Sequence, residues 1–242
     1  MRILCFFVAM NLYVGTSGYS YKEWKGSFYP EKIQAKDMLS YYASRLQAVE
    51  LNNTFYRLPQ PSMIESWKAQ VPDNFRFSVK ASQVITHYKQ LKNAANETRA
   101  MLKRLSAFED RLGAVFFRLP PEMKKDIKSL ENFLKVLPAD TRAAFQLEDP
   151  TWFDDDVSAL LRSQNRALCL LDTEEMPASR IEKTADWGYM RLRRVNYSES
   201  ELKEWITRMR AQKWKTTFVF FKHEDEGTGP KLAARFIELS NR

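Results

Sequence analysis

Phe75-Arg76-Phe77-Ser78-Val79-Lys80 alternates apolar and polar side chains without interruption, the two-residue period of a strand whose faces meet different surroundings. Val49-Glu50-Leu51-Asn52 repeats the pattern. Working outward, short runs rich in β-branched and aromatic residues predict eight strands: Leu12 to Gly15, Ala48 to Asn52, Phe75 to Ala81, Ala114 to Leu119, Ala143 to Leu147, Ala167 to Asp172, Gly188 to Arg193 and Thr217 to Lys222. Helical spacing fills the gaps, as in Asp37 to Arg45, Pro61 to Gln70, Asn93 to Arg111, Asp126 to Leu137, Asp154 to Asn165, Glu199 to Gln212 and Pro230 to Leu239. Asp126 and Ser198 stand where helix starts need acceptors for unpaired N–H groups. Strand-helix alternation of this kind builds parallel βαβ units. Eight of them in 242 residues, with no Gly/Ser linker, predict a single-domain α/β fold, the (β/α)8 TIM-like barrel, with an open doubly wound sheet as the alternative.

Composition agrees. The chain is 44% hydrophobic and 28% charged, with 7 Gly, 10 Pro and 2 Cys, which excludes disordered, collagenous and disulfide-stapled classes. Cys5 and Cys169 lie too far apart for a CxxC pair, pointing to a reducing compartment and away from a cysteine-built metal site. Residues 1–10 are read as an N-terminal extension or strand lead-in, with Met10 the expected natural start and residues 11–242 the barrel. That opening has one Arg and a short apolar run but no convincing signal-peptide geometry. No stretch reaches the ~20 apolar residues of a membrane span, so a cytoplasmic protein without membrane partners is expected. The formal net charge is +8, which favours anionic partners by sign without naming one.

In a closed parallel barrel the apolar parity of each strand faces the helices and the other parity faces the axis. This sends Glu50, Asn52, Arg76, Ser78, Lys80, Arg118, Gln146, Glu148, Arg191 and Arg193 inward. Asp172 joins them if Cys169 and Leu171 face out. The last strand is apolar on both faces and leaves Lys222 and His223 undecided. Isolated charges in a dry core cost several kcal/mol each. Because most of these positions fall late in their strands, they are expected to meet at the carboxyl-end mouth, where barrel sites are built. The expected mouth set, with Lys222 included and Arg76 and Ser78 left out, holds five cations and three carboxylates, so an anionic ligand fits better than a cationic one.

The blocks Tyr13-Val-Gly-Thr-Ser-Gly-Tyr-Ser-Tyr21, Trp24-Lys-Gly, Phe28-Tyr-Pro30, Val49-Glu-Leu-Asn-Asn-Thr-Phe-Tyr-Arg57, Ile85-Thr-His87, Arg118-Leu-Pro-Pro121, Asp149-Pro-Thr-Trp-Phe153, Trp187-Gly-Tyr-Met-Arg-Leu-Arg193 and Phe221-Lys-His-Glu-Asp225 resemble the YecE-like family, domain of unknown function 72. The resemblance runs from about residue 11 to residue 240 and implies a TIM-like barrel without an established activity. One departure stands out. Where the family commonly reads Glu-Phe-Arg-His-Pro after the fifth strand, this chain has Gln146-Leu-Glu-Asp-Pro150, so any chemistry carried by that segment is altered here.

Each candidate has a plainer alternative. Glu50 and Glu148 suit a general acid and base, as in a glycosidase-like hydrolase, or ion pairs with Lys80 and Arg118. Lys80 suits a Schiff-base lysine or a charge-paired one. His87 and His223 are the only imidazoles and form no ligand motif, so no cofactor is expected and a mixed metal site ranks below hydrogen-bonding roles. Arg191, Arg193 and Arg194 with Gly227-Thr228-Gly229-Pro230 match a phosphate site after the last two strands, or a tight turn beside surface arginines. Tyr13, Tyr19, Tyr21, Trp24, Phe55, Tyr56, Trp152 and Phe153 supply a stacking wall, or core. The reading that follows is an enzyme acting by acid-base chemistry on a phosphorylated or other anionic ligand. Glu50, Lys80 and Asp172 handle protons in it. Asn52, Arg118, Gln146, Glu148, Arg191, Arg193, Lys222, His223, Thr228 and Gly229 bind the ligand. The rival is a non-enzymatic nucleic-acid-binding barrel. Nothing in the sequence sets the oligomeric state.

Overall fold

The computed structural model describes residues 10–178, 181–222 and 225–242. The expected N-terminal extension, apart from Met10, and the candidate ligand-binding residue His223 lie outside the described residues. Nine strands, β1 Asn11–Ser17, β2 Ala48–Leu51, β3 Arg76–Lys80, β4 Leu112–Arg118, β5 Ala143–Gln146, β6 Ala167–Leu168, β7 Leu170–Asp172, β8 Trp187–Leu192 and β9 Thr216–Phe221, pair in parallel in the order β6-β5-β4-β3-β2-β1-β9-β8-β7. β6 and β7 are separated only by Cys169, whose N–H donates to the Phe145 carbonyl at 2.8 Å. Both edges of the sheet therefore belong to one run of chain, and the sheet closes into a barrel of eight staves with a seam at Cys169. Each stave falls within two residues of the run that announces it.

Helices α1 Met38–Ala43, α2 Pro61–Lys68, α3 Ala95–Leu105, α4 Ile127–Leu134, α5 Asp155–Ser163, α6 Glu199–Ala211 and α7 Thr228–Ser240 cover the outside. Their starts follow the expected chemistry. Asp126 accepts the Ser129 N–H at 3.0 Å, and Ser198 with Glu201 forms a reciprocal capping box on α6. One helix of the expected eight is not there: among the described residues, Thr173 to Asp186 joins β7 to β8 without one. Among the described residues no helix is long and apolar enough to cross a membrane.

Burial divides the core as the strand parity requires. Val49, Phe77, Val79, Phe117 and Phe145 pack outward with Ile64, Trp67 and Phe133 from the helices. Ala48, Ala114, Phe116, Ala144, Cys169, Tyr189, Phe218 and Phe220 fill the barrel interior. Small residues on β2, β4 and β5 make room for the aromatic rings of β4, β8 and β9, so the axis is closed by packing, and the polar layer lies above it. Phe218 and Phe220 face inward, which settles β9 and puts position 222 on the inward parity.

The sixth stave corrects one expectation. Cys169 belongs to the interior cluster and Leu171 lines the mouth, so Asp172 faces the helices. There it accepts from Tyr197 Oη at 2.7 Å, Arg194 Nε at 3.0 Å and the Ala178 N–H at 2.9 Å. The run Ala167-Leu-Cys-Leu-Leu-Asp172 is apolar on both parities, so it offered no alternation from which to read a face.

Candidate functional site

The strand ends converge. A cleft of about 450 Å³ at the carboxyl end of the barrel is lined by Ser17, Asn52, Tyr56, Lys80, Arg118, Gln146, Glu148, Leu171, Thr173, Glu175, Met176, Arg191 and Arg193. Register explains the meeting. Ser17 pairs with Glu50, Glu50 with Ser78, and Arg118 with Gln146, so side chains from successive strands share a level.

At the centre of the floor is Glu50, fully buried. Its Oε1 accepts from Ser17 Oγ at 2.9 Å, Arg191 at 3.0 Å and Asn52 Nδ2 at 3.2 Å, while Oε2 accepts from Tyr189 Oη at 2.7 Å. Burial alone would raise its pKa. The Arg191 guanidinium, the Tyr189 hydroxyl, Arg193 and Ser17 outweigh that and hold it at about 2. A carboxylate so furnished is a fixed acceptor at neutral pH rather than a proton carrier.

From Glu50 the network runs outward. Arg191 donates to Gln146 Oε1 at 2.7 Å, and its guanidinium carbon lies 4.7 Å from the centroid of the Phe116 ring. Gln146 Nε2 donates to Glu148 Oε1 at 2.6 Å, and Arg118 grips the same carboxylate at 2.7 and 3.4 Å. Burial raises the Glu148 pKa, but Arg118 and Gln146 lower it further, so the net shift is downward. On the other side Tyr189 meets Ser78 at 2.7 Å, and Arg193 donates to Ser17 Oγ at 2.9 Å.

Lys80 stands apart. Among the described residues its ammonium makes no hydrogen bond or ion pair, and its close contact is the face of Phe55, 4.2 Å from the ring centroid. Burial, followed by the Arg191 and Arg118 charges, pushes its pKa down to about 8. The backbone beneath it is fastened: Thr54 Oγ1 lies 2.9 Å from the Leu51 carbonyl oxygen and 2.7 Å from that of Lys80, and so sets the 3-10 turn Asn53–Phe55 against the end of β3. His87 packs edge-on to the same Phe55 ring, with centroids 4.8 Å apart. Burial, then Lys80 and Arg118, lowers its pKa.

Of the expected residues, Asn52, Lys80, Arg118, Gln146, Glu148, Arg191 and Arg193 wall the cleft, and Glu50 lies fully buried behind them. Asp172 is on the far side of its strand, while Lys222, Thr228 and Gly229 are not part of the walls. Gly229 has a packing reason for being glycine: a Cβ would sit 1.9 Å from the Lys222 carbonyl oxygen. Arg194 also turns away from the cleft, bridging Asp172 and Glu201 at 3.0 and 2.8 Å. Sequence reasoning missed Ser17 and Tyr189 as partners of Glu50. Tyr189 was within reach, because it shares a parity with Arg191. Thr173, Glu175 and Met176 come from a connection with no periodicity to read. Among the described residues, no group of three or more His, Cys, Asp or Glu side chains could hold a metal ion.

The Gly-Thr-Ser-Gly block now has a physical account. A Cβ on Gly15 would fall 1.7 Å from the Ala48 carbonyl oxygen, and Gly18 has φ of +91°. The Gly18 N–H bonds the Glu50 carbonyl at 2.8 Å, and Ser17 reaches the Glu50 carboxylate. The block thus locks β1 against β2 where the site begins.

Known proteins share this architecture. The model of a family described as "Protein of unknown function DUF72" matches residues 13–242. The UPF0759 protein YecE of Escherichia coli (strain K12) is 30% identical over 116 residues, 48% of this chain and 43% of the relative. The UPF0759 protein YunF of Bacillus subtilis (strain 168) is 25% identical over 150 residues, 59% of this chain and 52% of the relative. The chain thus spans about half the length of the curated relatives it matches. A DUF72 family protein from Thermotoga maritima MSB8 has a solved structure that superposes with a TM-score of 0.84 at 25% identity, covering 96% of this chain and 100% of that one. One from Enterococcus faecalis V583 gives 0.78 at 17% identity, covering 96% of each, a likeness of fold. A family model matched from β1 to the C-terminal residue, on a barrel superposable on DUF72 structures, makes this chain a member of the DUF72 family.

Proposed function

We propose that this barrel is an enzyme using acid-base chemistry on a small phosphorylated or otherwise anionic ligand, with Lys80 handling the proton and Arg118 and Arg193 clamping the anion. The observation that carries the reading is the state of Lys80: a cation inside the cleft, without a carboxylate partner among the described residues, beside three guanidiniums. An anion placed there gains charge-assisted hydrogen bonds and relieves the guanidinium repulsion that, after burial, depresses the lysine pKa. A volume of about 450 Å³ suits a metabolite-sized ligand, which favours this reading over a nucleic-acid surface. Glu50 serves by orienting Arg191. The hydrolase alternative gains no support, because a glycosidic general acid must stay protonated, whereas Glu50 and Glu148 are both held ionised by arginine.

Calorimetric titration with inorganic phosphate tests the proposal. Binding to the native chain is expected to weaken by about tenfold or more in Lys80→Gln, the scale of a charged hydrogen bond. It is also expected to decline as pH rises through about 8, where Lys80 loses its charge. Absence of phosphate binding, together with steeply salt-dependent binding of oligonucleotides, would favour the nucleic-acid reading instead.

A further inference from the structure

We infer that Lys80 condenses with a carbonyl carbon of the ligand to form an imine, so that the ligand class is an aldehyde or ketone that also carries a phosphate or other anionic group. This deepens the anion-binding reading and rests on it. The geometric ground is the contrast among the cations of the cleft. Arg118 is held by Glu148, Arg191 by Glu50 and Gln146, and Arg193 reaches Ser17. Among the described residues the Lys80 amine has only the Phe55 ring face, which stabilises an ammonium but offers no carboxylate to keep the nitrogen protonated. The plainer role for a barrel lysine, a partner in an ion pair, is therefore not the one it plays among the described residues.

Three further features suit the chemistry. In the unliganded cleft, burial, which a bound anion does not reverse, and the neighbouring guanidiniums bring the amine to about 8, so at neutral pH its nucleophilic neutral fraction exceeds that of an ordinary lysine by roughly a hundredfold before the anion arrives. The guanidiniums keep their charge when the amine loses its own, so the anionic group stays anchored while the nitrogen attacks. An anchored anion also holds the carbonyl beside the amine, replacing a bimolecular encounter with an oriented one. The step balances within itself. The nitrogen lone pair forms the C–N bond as the carbonyl π pair moves to oxygen; that oxygen takes one proton from the nitrogen and a second from solvent, and the restored nitrogen lone pair forms the C=N bond as the C–O bond breaks and water departs. The C=N⁺ iminium remains, with no oxidant or reductant consumed.

The test uses the intact chain with pyridoxal 5′-phosphate, an aldehyde bearing a phosphate, followed by borohydride reduction and peptide mapping by mass spectrometry. At about one equivalent of probe, the reduced adduct is expected on Lys80 at roughly tenfold or more above any other lysine. Excess inorganic phosphate should suppress it, and Lys80→Arg should abolish it. Label spread evenly over the lysines, or unchanged in Lys80→Arg, would overturn the imine. If phosphate still bound the native chain in that case, the anion-binding reading would survive alone. If phosphate neither bound nor competed, both would fall.

Discussion

Lys80 and Arg191 face the same cleft, yet they are held in opposite ways. Arg191 is buried, bonded to Glu50 and Gln146 and laid against Phe116. Its charge is part of the architecture. Lys80 is half-buried at the end of β3 and touches a ring. The difference teaches where binding capacity lies in a charged mouth. Cations already matched by carboxylates, Arg191 and Arg118, shape the floor and wall, and Lys80, without a carboxylate partner among the described residues, is available to a ligand.

The contrast breaks first at the floor. Glu50→Ala would leave Arg191 buried without its carboxylate, and about 3–5 kcal/mol of stability is expected to go, measured by denaturant unfolding. The acid limb carries the same signature. The Glu50 pKa is depressed from 4.5 to about 2, so its contribution is complete above about 4.5 and is lost as pH falls from there toward 2. Comparing Glu50→Gln with the native chain across that window should show the difference shrinking as the solution becomes more acid. Next comes Tyr189→Phe, which removes the hydroxyl that links Ser78 to Glu50 and should cost about 1–3 kcal/mol by leaving buried acceptors unsatisfied.

Lys80 should behave in the opposite sense. Replacing it with Met removes a half-buried cation repelled by its neighbours, so neutral-pH stability is expected to hold or rise while phosphate binding weakens by about tenfold or more. In the native chain its pKa is lower than in the unfolded state, so the unfolded chain binds more protons between about 8 and 10.5. Stability attributable to Lys80 should therefore increase with pH across that window, and the native chain should gain on Lys80→Met there. A loss of several kcal/mol in Lys80→Met at pH 7 would show a structural lysine instead. The smallest effect is expected from Arg194→Lys on the outer face. It removes the fork that spans Asp172 and Glu201, and phosphate binding should be unchanged.

The legible parts of the molecule were those with alternation. Val49-Glu50-Leu51-Asn52 and Phe75 to Lys80 announced both their strand and their inward face, and Asn52 and Lys80 from them, with Arg118, Gln146, Glu148, Arg191 and Arg193, are seven of the thirteen residues that line the cleft. What could not be read has physical reasons. Asp172 closes a run that is apolar on both faces, and Cys169 splits that run at the seam. Thr173, Glu175 and Met176 enter from a connection without a helix. Gly229 looks like a backbone suited to phosphate but is small because α7 packs on the Lys222 carbonyl. Whether a charge is matched is a matter of distance, and residue spacing does not report it: Lys80 and Arg118 read alike in sequence and differ in space.

The most direct measurement is an NMR titration of the Lys80 side chain in the intact protein, with and without inorganic phosphate. Titration near 8, moving upward when phosphate is added, is the expected result. An ordinary lysine value that phosphate leaves unchanged would contradict the claim that the cleft holds an unmatched cation awaiting an anion.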